Sequence, residues 1–462
     1  MRSSKLVALL TPIAFGLTPM AAFAQTGTST AVLMPEDGGP LRRAPMPEGG
    51  VDDGMPRAKP PTGGVDDGMK RHTPEGGVDE PKADGAQGEK KAPPPTEPAS
   101  EKKESGLKGS GQFRVDESQL GSGGLSAEAG GVQFVWNGYF RVLGEITEND
   151  NEYIGRNDGF KLGNARIGMS ARRGPLLAFV ALEAAFGERE DINAPNGTFT
   201  VRPRDTFLRY DLSRFALITA GRFKAPYDLG ELEVTALRTF IDQPVESRGV
   251  LATQGNETEG LSQDRQLGVM VHQDHLGLTE DGFDLGYALA LTNGRTLDLA
   301  FNDNDRPAAF ARVSAYYGQW VQLNVAGFTD SRTRGEIPNL TDEEVKGSEV
   351  SLLASFFGMS IQGQLLFQNK LYSTTGAPDQ NSLGAHVQWS YTLWGAWFGY
   401  RFAFLDPNTR DDQDNDQIIE HTIGLGYQTE SLPVRFMLNG TLAQEQAKVD
   451  NNRLTAMVQY IF

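Results

Sequence analysis

Nine cationic side chains fall on the polar positions of segments in which polar and apolar residues alternate. They are Arg141, Arg166, Arg172, Arg209, Arg222, Lys224, Arg312, Arg401 and Arg435. A guanidinium group forks onto the oxygens of phosphate or carboxylate. Cations ringing a narrow aqueous passage select ions of opposite sign, because screening is weak there and the field is strong. Gathered on one face, these residues predict a lining that contacts small anions. Glu145, Glu183 and Asp205 share that polar face, so part of the set can instead pair with acids of the wall.

Other constellations point to no comparable chemistry. "DDQDNDQ" at 411–417 offers Asp412, Asp414 and Asp416 at alternate positions, as at the start of a calcium loop. Gln417 then stands where the turn glycine belongs and Ile423 where the bidentate glutamate belongs, which leaves a solvated acidic loop. His272 and His275 in "VHQDH" have no third ligand by spacing, so no metal is expected. His386 and His421 fall on strands without a serine spaced to pair with either, and neither a G-x-S-x-G nor a phosphate-cradling loop occurs. The residues predict no catalytic step, no cofactor and no enzyme.

The elements that must position the cations read as strands. In "VQFVWNGYFRVLGEI", residues 132–146, Val132, Phe134, Trp136, Phe140, Val142 and Ile146 share one face, opposite Gln133, Asn137, Tyr139, Arg141 and Glu145. "NARIGMSAR" sets Ala165, Ile167, Met169 and Ala171 against Asn164, Arg166, Ser170 and Arg172. About sixteen such segments follow between residue 132 and the end. Their connections alternate. Long polar stretches such as "TENDNEYIGRNDG", "DSRTRGEIPNLTDEEVKG" and "LDPNTRDDQDNDQ" take turns with "RRGP", "DLSR", "FGM" and "TLWG"; "QDHLGLTEDG" is intermediate. Long loops on one rim, short turns on the other and an even strand number predict an all-β fold, a transmembrane antiparallel up-and-down β-barrel. Closure is a physical requirement, since an open sheet edge in hydrocarbon leaves backbone groups unpaired.

Composition agrees with a strand-built membrane protein. The chain carries 60 Asp+Glu against 43 Lys+Arg, net charge -17, with 39% hydrophobic residues and no cysteine. That acidity argues against nucleic acid as a partner, and disulfides and thiolate metal sites are excluded. No apolar run reaches the ~18 residues of a membrane helix. Residues 1–24 read as a signal peptide: Arg2 and Lys5, an apolar core, then Ala22, Phe23 and Ala24 before Gln25. Residues 25–130 are rich in Pro, Gly and charge, with "GGVDDGM" at 49–55 and 63–69 and "GGVDE" at 76–80. So few large apolar groups predict a disordered periplasmic tail, with peptidoglycan as the partner if the repeats bind anything. The barrel takes 131–462.

The ending "LTAMVQYIF" puts Leu454, Ala456, Val458, Tyr460 and Phe462 on one face. That pattern predicts a final lipid-facing strand that meets outer-membrane lipid and lipopolysaccharide. Its terminal aromatic is similar to the signal read by the outer-membrane assembly machinery.

"LITAGRFKAPYDLGELEVTALRTFIDQP" at 217–244 is followed by "DRQLGVMV" at 264–271, "YALALTNG" at 287–294 and "FNDNDRPAAFARVSAYY" at 301–317. In residues and order these resemble the phosphate-selective porin O and P family, across roughly residues 130–462. The resemblance implies a sixteen-stranded homotrimeric outer-membrane porin for small anions such as phosphate, its long third loop folded into the pore. The lysine-rich lumen that goes with that family has no counterpart: Lys224 is the only lysine within 217–317. The residues independently favour an inserted loop. The gap at 225–263 carries Leu229, Leu232, Val234, Leu237, Phe240 and Ile241, which suit packing inside a lumen. It also carries Asp228, Glu231, Glu233, Asp242 and Glu246, acids within reach of the wall arginines. The expected function is passive diffusion of small hydrophilic or ionic solutes. The alternative is an envelope-tethering or adhesion protein whose barrel is only an anchor.

Overall fold

The computed structural model describes residues 125–148, 159–186, 199–251, 254–279, 282–294, 306–336, 339–373, 379–410, 416–429 and 432–462. The signal peptide, the repeats and most of the "DDQDNDQ" stretch lie outside the described residues.

Sixteen antiparallel strands form the wall among the described residues. They are β1 Val132–Thr147, β2 Gly159–Arg173, β3 Leu176–Phe186, β4 Phe199–Ser213, β5 Ala216–Lys224, β6 Arg265–Gln273, β7 Phe283–Thr292 and β8 Ala308–Tyr317. The second half is β9 Val321–Glu336, β10 Asn339–Phe356, β11 Met359–Tyr372, β12 Gln380–Leu393, β13 Ala396–Asp406, β14 Ile418–Gln428, β15 Val434–Glu445 and β16 Arg453–Ile461. Each strand pairs with its neighbour in sequence, and β16 pairs with β1 to close the cylinder. Leu454 lies opposite Ile146 and Tyr460 opposite Phe140 across that seam. Gly138 and Phe462 exchange both backbone hydrogen bonds at 3.0 Å, so the last residue is itself part of the closure. A short strand, Ser126–Ala129, folds back along the start of β1.

The two faces separate as the alternation requires. On β16, Leu454, Val458 and Tyr460 are exposed while Arg453, Thr455, Met457 and Gln459 are buried. On β2, Ile167 and Met169 face outward and Arg166 and Ser170 inward. The outer surface is an apolar band suited to hydrocarbon, and the closed ladder leaves the sixteen-strand wall without an open edge. Exposed Trp320, Phe357, Tyr391, Trp394, Tyr427 and Tyr460 gather toward the short-turn rim, the girdle position where an amphipathic ring meets both phases. Phe357–Gly358 and Trp394–Gly395 are two-residue hairpins with both φ positive, the turn whose twist matches paired strands; glycine takes the second position without strain.

One connection differs from expectation. "DSRTRGEIPNLTDEEVKG" is not a loop: β9 and β10 keep their register through it, from Asp330 opposite Val345 to Glu336 opposite Asn339. Polar residues on both faces suit a hairpin that stands above the hydrocarbon with water around it, a state that a two-residue period does not reveal. Arg332 there is buried, 2.7 Å from Asp330 and 3.9 Å from Glu343.

Candidate functional site

The bore is occupied by the β5–β6 connection. It contains helix α1, Leu229–Leu232, a 3-10 turn, Thr235–Leu237, helix α2, Val245–Arg248, and a minimal hairpin of Gly249–Val250 with Thr258–Glu259. Tyr227, Val245, Val250 and Leu261 pack into one apolar cluster with inward-facing Phe310, Phe328, Leu366 and Leu405 of the wall. Val234 and Ala236 pack on Tyr139 of β1 and Ile461 of β16, so the loop reaches across to the closing seam. Wall glycines make room for it. A Cβ at Gly384 would meet Cβ of Glu246 at 2.5 Å, and one at Gly424 would meet the Phe240 ring at 2.9 Å.

A loop buried in a barrel brings carbonyls and N–H groups that need partners. Over 236–243 the carbonyls are met by donors of the wall. Arg141 donates to Ile241 at 2.8 Å. Arg401 donates to Asp242 at 2.9 Å and Gln243 at 3.3 Å. Arg435 donates to Arg238 at 3.0 Å and also to Ala236. Gln459 and the Trp397 indole take Ala236 and Thr239 at 2.8 and 3.1 Å. The Arg401 and Arg435 guanidiniums also lie 4.8 and 4.7 Å from the Phe240 and Trp397 ring centres. At the other end of the loop the polarity reverses. Glu349 accepts from the amides of Asp228 and Leu229 at 2.8 and 3.1 Å, and Gln364 from that of Gly230 at 3.1 Å.

The loop acids answer to this setting. Burial pushes the Asp228 carboxyl up to about 7, although Gln364 donates to it, and Glu349 and Glu246 add to the rise. Burial likewise raises Glu233. Burial works against Asp242 too, but Arg453, Arg248, Lys161 and Arg141 outweigh it and hold that carboxyl below its ordinary range. Glu246 meets His386 of β12 at 2.5 Å with both side chains fully buried.

The remaining predicted cations divide by partner. Lys224 donates to the Glu233 carbonyl at 3.1 Å. Arg166 pairs with Glu183 at 2.5 Å and Asp205 at 3.6 Å. Arg222 is buried and donates to the Pro203 carbonyl. Arg209 approaches Asp211 at 3.9 Å and Arg312 approaches Asp274 at 3.4 Å. Arg172 is the outlier, half-exposed at the short-turn rim and paired with Asp211. Four of the nine, Arg141, Lys224, Arg401 and Arg435, therefore hold the loop by its backbone.

Known structures share this arrangement of strands. OmpF of Salmonella typhi, in complex with daunomycin, aligns with a TM-score of 0.51 at 12% identity, over 73% of this chain and 100% of that one. The outer membrane channel DcaP of Acinetobacter baumannii aligns at 0.50 with 14% identity, over 73% and 99%. An anion-selective porin from Comamonas acidovorans aligns at 0.49 with 17% identity, over 72% and 100%. The fold is that of a porin. No protein-family model matches the chain, and no curated relative matches it in sequence.

Several residues of the barrel wall and loop are not singled out by sequence pattern. Glu420 binds Arg248 of the loop at 2.5 Å and Arg453 at 2.9 Å. Arg265 joins Asp205 and Glu231, both at 2.9 Å. Glu420 and Arg453 follow the same alternation as Thr422 and Thr455, so parity could have found them. Arg248 sits in the loop, where no parity exists, and Arg265, the first residue of β6, is buried although it shares its parity with outward-facing Val269. His272 contacts Thr219 at 3.0 Å and His275 contacts Asp284 at 3.1 Å, so the two rings have separate partners. His421 faces outward beside Tyr400 at 2.7 Å, whereas His386 faces the loop. Below the loop root, a cavity of about 540 Å³ runs from Lys224, Pro226 and Leu232 to the short-turn rim at Gly318 and Trp320.

Proposed function

We propose that this chain is a bacterial outer-membrane porin through which small hydrophilic solutes diffuse passively, with preference for anions. The observation that carries this reading is a closed barrel, apolar outside, whose inner wall gathers Arg141, Arg166, Arg209, Arg312, Arg401 and Arg435. A passage squeezed between loop and wall takes its field from those guanidiniums, because low dielectric and poor screening strengthen it. The nine predicted cations act as the anion-contacting lining, with Arg141, Lys224, Arg401 and Arg435 doing so while also holding the loop. The resemblance to the phosphate-selective porin O and P family favours phosphate among the anions and a homotrimer as the assembled state. The aromatic end of β16 suits recognition by the outer-membrane assembly machinery, and the outer apolar band suits lipid and lipopolysaccharide.

Reversal potential across a planar bilayer under a salt gradient tests the proposal. Anion preference is the expected sign, and cation preference overturns it. A second reading is supported by the reach of the loop from β10 to the β16–β1 seam: a barrel filled this way serves as an anchor for envelope tethering. A barrel without conductance favours that reading instead.

A further inference from the structure

The cavity beneath the loop root has walls of two kinds. Phe179, Phe207, Phe223, Leu232, Met270 and Leu353 form an apolar side, with the Phe179 and Phe207 rings 5.4 Å apart. Arg172, Arg209, Lys224 and Arg312 supply four cations, against Asp205, Asp211 and Asp274. The same pairs use both signs: Asp211 meets Arg172 and Asp274 meets Arg312, while Asp205 is held by Arg265 from outside the lining. Four cations against three acids leave the polar side with an excess of positive charge toward an incoming ligand.

Phe207, Leu217 and Met270 keep part of their surface open, and apolar surface left against water forgoes ~25 cal/mol for each Å² that a ligand could cover. The volume, about 540 Å³, lies in the range of small-molecule sites, ~300–1,000 Å³, and such sites combine apolar walls with a few convergent polar groups. Loop and barrel build this one jointly, since Pro226 and Leu232 close the end opposite the rim.

We propose that this cavity binds an amphipathic organic anion: a carboxylate joined to an aromatic ring or short hydrocarbon. The ring lies against Phe207 and Met270 and the carboxylate toward the arginines. The proposal rests on the channel reading and deepens it, by naming the solute class that pauses at the short-turn side of the bore.

The test is calorimetry on the full chain in detergent with three probes: 3-phenylpropanoate, its neutral amide and inorganic phosphate. The expected result is that 3-phenylpropanoate binds at least about tenfold tighter than either of the others, equivalent to ~1.4 kcal/mol. Phe207→Ala and Arg209→Gln are each expected to weaken it about tenfold, through lost apolar burial and a lost charged donor respectively. Equal binding of the amide overturns the anionic half of the proposal. Equal or tighter binding of phosphate, or no binding of 3-phenylpropanoate, overturns the whole. The three-probe comparison on the unaltered chain decides the matter even where a variant fails to fold. Bilayer conductance of the same preparation separates the two readings. A conducting barrel without the calorimetric preference defeats the cavity proposal alone, and a silent barrel that retains the preference defeats the channel reading alone.

Discussion

Two sides of the bore carry the same residue type and use it differently. From β13 through β15 and round to β1, Arg141, Arg401 and Arg435 are buried against backbone carbonyls of the loop. From β2 to β8, Arg166, Arg265 and Arg312 are buried against carboxylates, and the space beside them stays open as the cavity. An arginine has five donors and no acceptor, so it serves equally as a counter-ion or as a cap for unpaired backbone. What it becomes depends on what is packed opposite. A cation-rich inner wall is thus a statement about loop docking as much as about ion choice.

The largest expected effect comes from removing the carbonyl side of that comparison. Replacing Arg141, Arg401 and Arg435 together by alanine strips charged donors worth ~1.5–3 kcal/mol each. The loop should leave the wall, and single-channel conductance should rise several-fold. Unchanged conductance would mean that the loop is held by apolar packing alone. Next in size is Glu420→Gln, which leaves Arg248 and Arg453 buried without their shared carboxylate. Breaking a buried pair of this kind costs ~3–5 kcal/mol, read as an earlier loss of heat-modifiable gel mobility.

A pH series sharpens the comparison further. Asp228 has its carboxyl raised to about 7 by burial, from 3.8, with Glu349 of β10 and Glu231 and Glu246 of the loop facing it. A raised carboxyl pKa means that the docked loop binds this proton more tightly than the released one. The contribution to docking is therefore complete below the ordinary carboxylate range and is lost as pH rises through about 7. Conductance should increase between mildly acidic and mildly alkaline solution, and Asp228→Asn should flatten that dependence. A flat profile in the unaltered chain would remove Asp228 as a docking group. The smallest effect belongs to the rim. Arg172→Gln breaks a half-exposed pair with Asp211, worth ~0–1 kcal/mol, and should leave thermal stability within that margin.

Much of the barrel is legible in the residues alone. Ile167 and Met169 outward with Arg166 inward, or Val458 and Tyr460 outward with Gln459 inward, follow from a two-residue period that nothing local disturbs. The inserted loop is legible as well, because Leu229, Leu232, Phe240 and Ile241 have no reason to sit in an exposed polar connection. The upper β9–β10 hairpin is not, since strands outside hydrocarbon lose the apolar half of the pattern.

By itself, then, the sequence determined that strands alternate in polarity, how they are joined, and that one connection carries an apolar load. Period and connection length are local properties, and local residues encode them. Only the tertiary structure decided that Arg401 and Arg435 face carbonyls while Arg166 faces Glu183, and that Gly384 and Gly424 leave room for Glu246 and Phe240. It alone left a cavity between the loop root and the short turns. Those outcomes depend on where a loop of irregular backbone comes to rest against residues far away along the chain, and no repeat in the chain records that distance.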